Sequence, residues 1–185
     1  MNNTKTVISW LELYIFLVIA LSEYVFSAAV ISAFLIHEIS HIAVCYALGG
    51  KIRSIKPAAC GLRISYGPSV MSYSRELAVI FAGSVVNLLV GFACVAVMPS
   101  PFAYVNISLG AVNIIPVKGL DGGAAVYTAI SYFAGEKRAE RAVGIISVIC
   151  SVCLWLATVY CQLRISINIG ILMTAVYVML SVLIN

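Results

Sequence analysis

Charge is what this sequence has least of: only 10% of its 185 residues are Asp, Glu, Lys or Arg, where soluble chains carry about 25%. So little charge cannot cover a water-facing surface, which excludes an ordinary soluble domain. The net charge is only +4, and the bases cluster in particular loops, so a nucleic-acid-binding surface is excluded too. The first apolar run has no strongly basic leader and no small-x-small cleavage signal, and it is expected to persist as a helix. Cysteine offers no metal or redox framework. Cys150 and Cys153 form a CxxC without a second pair, and Cys45, Cys60, Cys94 and Cys161 lie mostly in apolar runs, where cysteine packs as a small hydrophobe. Histidine is scarce too, with two in the chain, His37 and His41.

What remains is apolar: 63% of residues, with a mean hydropathy of +1.09. Runs of about 20 apolar residues, enough to cross a bilayer, recur along the chain. The expected fold is all-α and integral to a membrane, with six transmembrane helices near 7–21, 24–48, 77–98, 102–133, 142–161 and 165–184. The fourth run is too long for one helix and is expected to break near its middle.

Basic residues set the orientation. Lys5 precedes the first span. Lys51, Arg53, Lys56, Arg63 and Arg75 follow the second, and Lys137, Arg138 and Arg141 follow the fourth. The alternate connections hold only Arg164. Both termini are therefore expected in the cytoplasm. Between Lys51 and Arg75, the alternating stretches 52–55 and 62–66 are punctuated by Pro57, Gly61, Gly67 and Pro68. They predict a short interfacial β-hairpin, with an irregular loop as the alternative.

The second span reads His37-Glu38-Ile39-Ser40-His41. Ionisable residues are costly inside a membrane and mark function by default. His37 and His41 stand at i and i+4, so a helix projects both imidazoles from one face, a spacing that suits two ligands on one zinc. Glu38 lies beside them as a candidate general base. A hydrolytic zinc takes three protein ligands and a water, so a third ligand is needed. Acids within spans reduce to Glu12, Glu38 and Asp121, with Glu23 and Glu76 near ends. Asp121 lies in Asn113-Ile-Ile-Pro116-Val-Lys118-Gly119-Leu-Asp121-Gly122-Gly123, where proline and glycines interrupt the span. Irregular backbone at membrane depth is tolerated only when buried in protein or lining a polar cavity, so the break marks a site and Asp121 is its acid. Asp121 and Glu38 would balance one Zn²⁺ held by neutral imidazoles. Glu12 receives no role.

HEISH at 37–41 and NIIPVKGLDGG at 113–123 together resemble the site-2 protease family of intramembrane metalloproteases. The segment 82–87, Ala-Gly-Ser-Val-Val-Asn, is similar to that family's GxxxN stretch. The resemblance covers a catalytic core of about 24–133 in a single transmembrane domain, 1–185, with no PDZ or CBS domain expected. The six-span layout looks most like the branch of the stage IV sporulation protease, although Lys118-Gly119 stands where relatives commonly have prolines.

The resemblance implies one Zn²⁺ per chain on His37, His41 and Asp121, and Glu38 as the catalytic base. It also implies contacts of Asn113 with the substrate backbone or the developing oxyanion. Asn87 either joins it there or bonds between helices, while Gly83 and Gly91 allow close packing. The implied activity is that of a zinc metalloendopeptidase in a bacterial cell membrane, its site toward the cytoplasm. It would cut a transmembrane protein substrate within or near the bilayer, such as a signalling or sigma-factor precursor, together with a membrane-bound regulator. Two alternatives stay open. ZIP-type zinc transporters carry a similar His-Glu-x-x-His string, paired with a second His-bearing helix. An inactive relative would only retain membrane partners.

Overall fold

The protein is described from a computed structural model covering residues 24–58, 61–66 and 72–164, with 175–176, 178–179 and 182. It divides into two compact units, 1–114 and 115–185.

The first unit opens with α1, Tyr24–Ala47. This helix is rich in alanine, valine and isoleucine, has no proline or glycine inside it, and so nothing interrupts its hydrogen-bond ladder. The strands β1 (Ile52–Ala58) and β2 (Gly61–Tyr66) follow. They pair antiparallel from Ile52 opposite Tyr66 to Ala58 opposite Gly61, with a register irregularity between Ile52 and Ser54. The stretches whose alternation predicts strands are thus the stretches that pair. Next comes α2, Tyr73–Val97, whose first turn is closed by Ser72: its carbonyl accepts from the Arg75 and Glu76 amides. Glu76 in that turn complements the positive end of the helix. The unit ends with α3, Pro101–Ile114, which begins on a proline, the residue whose missing N–H costs least at a first helical position. The helices α1, α2 and α3 pack against one another pairwise.

The second unit contains α4, Asp121–Ala134, and α5, Glu136–Arg164, which pack together. Only Gly135 separates them. Its φ of +85° with ψ 158° lies in a region open essentially to glycine alone, and it serves both helices. The Gly135 amide donates to the Ser131 carbonyl to close α4, and its carbonyl accepts from Ala139 to open α5.

Three helices, α1, α2 and α5, are long and apolar enough to cross a membrane. Among the described residues, three of the six expected spans, the second, third and fifth, are thus single helices of that length. The first expected span lies outside the described residues, as does most of the sixth. The fourth is two helices of 14 residues each, about 21 Å apiece at 1.5 Å per residue, too short to cross alone. One boundary is corrected outright. Lys137, Arg138 and Arg141 belong to the first turns of α5 rather than to a loop, because Glu-Lys-Arg-Ala-Glu-Arg is a run of good helix formers and only Gly135 breaks it. Arg75 likewise lies in the first turn of α2.

Candidate metal centre

In the first unit, α1 sets His37, Glu38 and His41 in its interior, each nine-tenths or more buried. One helical turn brings the two rings together edge to face, with centroids 4.7 Å apart. Their Nε2 atoms stand 3.1 Å from each other. Two nitrogens on one tetrahedral zinc at 2.0–2.1 Å are separated by about 3.3 Å, so the pair already holds ligand spacing.

The tautomer is fixed from outside the helix. His41 Nδ1 lies 2.7 Å from the backbone carbonyl oxygen of Val79 on α2. A carbonyl only accepts, so Nδ1–H donates and the Nε2 lone pair is left toward His37. Metal-bound histidines are commonly held by such a bond at their other ring nitrogen. No sequence signal marks Val79, since the group that acts is a backbone oxygen and any residue would supply one.

Gly83 lies one turn further along α2. A Cβ there would stand 2.5 Å from His41 Nε2, and 2.7 and 2.8 Å from His37 Cε1 and Nδ1. Side-chain volume at position 83 is therefore what the imidazole pair excludes, a sharper role than helix packing. Gly91 does serve close packing, its Cβ position falling 2.5–2.9 Å from Ile107 and the Ala103 carbonyl on α3. Asn87 is fully buried, and its amide donates to the Ala33 carbonyl of α1 at 3.2 Å. Its Oδ1 has no hydrogen-bond partner among the described residues. Asn113 is buried in the last turn of α3 and donates to the Leu109 carbonyl of its own helix at 3.0 Å.

In the second unit, Asp121 is the first residue of α4, half-buried, at the helix end that favours a negative charge. The segment before it is an ordered turn. The Val117 amide donates to the Ile115 carbonyl, and the Leu120 amide to the Val117 carbonyl. Gly119 has a φ of +96°, a left-handed conformation open to glycine and closed to proline. The turn is fixed from α5: the Lys118 amide donates to Ser147 Oγ at 2.7 Å, and that hydroxyl donates on to the Val143 carbonyl. Gly123 leaves space for it, since a Cβ there would collide with the Val117 carbonyl. Ser147, one of two serines four apart in an apolar run, carries no sequence signal for this task.

Within the first unit His37 and His41 offer two ring nitrogens to a metal ion, and within the second Asp121 offers a carboxylate oxygen. The chemistry of these donors and the 3.1 Å spacing of the two nitrogens fit zinc.

No protein-family model matches the chain, and no curated protein matches it. Solved structures do. The chain is similar to the site-2 protease from Methanocaldococcus jannaschii, with a TM-score of 0.68 and 21% identity, over 96% of this chain and 86% of that one. At that identity the likeness establishes a shared fold.

Proposed function

We propose that this chain is an intramembrane zinc metalloprotease of the site-2 type, hydrolysing a peptide bond within or near a transmembrane segment of another membrane protein. One observation carries the reading. A buried pair of imidazoles stands at zinc-ligand spacing beside a buried glutamate, on a helix long enough to cross a membrane. The shared fold supports it.

In this reading His37 and His41 hold the ion through Nε2, and Asp121 is the third ligand. When bound, zinc supplies Lewis acidity toward a peptide carbonyl and toward water. Glu38 accepts the proton of the attacking water and passes it to the leaving amine. His41 keeps its lone pair directed inward because the Val79 carbonyl holds the proton at Nδ1. Asn113, and Asn87 with it, stand as candidates for contact with the substrate backbone or the developing oxyanion. A helical peptide bond is shielded by its own hydrogen bonds, so the substrate must unwind first. The pair β1–β2 offers an open edge along which an extended segment can add as a strand.

The reading extends to a six-span bacterial membrane protein of the stage IV sporulation protease branch, with both termini and the site toward the cytoplasm. That side rests on the basic residues between and at the ends of the spans, Lys51, Arg53, Lys56, Arg63, Arg75, Lys137, Arg138 and Arg141.

The test compares wild-type and Glu38→Gln chains in cell membranes, mapping new N-termini across all membrane proteins alongside zinc content. Cleavages inside transmembrane segments that appear only with wild type, at equal zinc content, are the expected result. Cleavage that persists in Glu38→Gln overturns the mechanism. Zinc flux through proteoliposomes without any proteolysis overturns the protease class in favour of a transporter.

A further inference from the structure

Three contacts between α1 and α2 fall on a common spacing. On α1 the residues are Ala33, His37 and His41, each four apart. On α2 they are Asn87, Gly83 and Val79, also four apart and in the opposite direction. Asn87 donates to the Ala33 carbonyl, Gly83 lies against the rings of His37 and His41, and the Val79 carbonyl accepts from His41 Nδ1–H. A step of four residues advances about 6 Å along a helix, so the two rows stay matched over two turns.

The outer contacts define the central one. The Ala33 carbonyl is the helical acceptor of the His37 amide, so the Asn87 bond ties α2 to the turn from which His37 projects. The Val79 bond ties α2 to the far ring. A slip of one residue would rotate α2 by about 100° and bring a side chain, Ala82 or Ser84, toward the rings in place of Gly83. Asn87 makes its bond fully buried, where breaking it would strand a desolvated amide.

We propose that the row Asn87–Gly83–Val79 positions the metal-binding imidazoles. Asn87 sets the register, Gly83 vacates the volume the rings occupy, and the Val79 carbonyl selects the His41 tautomer. Gly83 is thus a positioning residue for the metal ligands. This rests on the zinc reading above and gives Gly83 and the Val79 carbonyl roles that involve no substrate contact.

The experiment uses the full chain in detergent and measures zinc affinity by chelator competition, with the visible spectrum of the Co²⁺-substituted protein as a geometric readout. Gly83→Ala is expected to weaken zinc binding about 10–100-fold, the range for outer-shell changes, and to alter the Co²⁺ spectrum. Asn87→Ala is expected to weaken it severalfold without entering the ring space. Gly144→Ala, whose added Cβ meets nothing within 4 Å, is the control and should bind as wild type. Imidazole ¹⁵N NMR of the wild-type protein should show the His41 proton on Nδ1 both with zinc and without it. Gly83→Ala with wild-type affinity and spectrum overturns the proposal, as does a His41 proton on Nε2. Should Gly83→Ala not fold, the tautomer and Asn87→Ala decide. Wild type without zinc affinity overturns the metal reading instead, and the tautomer still judges the row.

Discussion

The helix α1 and the turn 115–120 present their donors by opposite means. In α1 nothing interrupts the backbone, and the period of 3.6 residues alone places His37 over His41. Around Asp121 the backbone is interrupted, and the acid takes its place as the first residue of α4. A regular helix yields two ligands at a set separation but only along its own face. A broken one can present a carboxylate at its N-terminus, where the helix end stabilises the charge. The difference teaches where each is fragile. The pair depends on what α2 places against it, and the acid depends on the contacts that hold the turn.

The largest expected effect breaks the regular half. His41→Ala should reduce bound zinc to background and abolish cleavage, with helix content by circular dichroism unchanged. Retained stoichiometric zinc would remove the pair from the site. Glu38→Gln should separate chemistry from binding: cleavage falls about 10²–10⁴-fold, the usual share of a general base, at unchanged zinc content. A matching loss of zinc would assign Glu38 to the ligands.

The broken half is tested through its supports. Gly123→Ala drives a methyl into the Val117 carbonyl, and should cost about 1–3 kcal/mol as an overpacking change, read as a lower Tm in detergent. An unchanged Tm would mean the turn is not held there. Ser147→Ala removes the acceptor of the part-buried Lys118 amide, with a cost of about 1 kcal/mol for the lost hydrogen bond. Ser147→Thr, which keeps the hydroxyl, should restore part of it. The smallest effect is expected of Gly144→Ala in α5, where an added Cβ meets nothing within 4 Å: a gain of about 0.5–1 kcal/mol from helix propensity. A loss there would show that the second unit tolerates no added volume even in open space.

Much of the site is legible in the order of residues, for definite reasons. The stretch 24–48 predicts a span where α1 runs Tyr24–Ala47, because an unbroken apolar run has few alternatives. The histidine pair follows from helical period, and the break from Pro116 and Gly119, which a continuous helix tolerates poorly. The start of α5 is less legible: its charges suggest a loop, whereas helix propensity governs there. Gly83 is visible as a glycine, but what it faces is not.

The sequence by itself determined a membrane-embedded chain, two imidazoles on one helical face, a glutamate beside them and an acid at a break. Each follows from composition or from a period counted along the backbone. The tertiary structure alone decided the His41 tautomer, the emptied volume at Gly83, the register bond of Asn87 and the brace of Ser147. Those depend on a carbonyl, a missing side chain, an amide and a hydroxyl brought close by packing between helices, 29 to 54 residues apart in the hydrogen-bonded pairs. Backbone groups and absent atoms carry no residue-type signal, so packing alone could reveal them.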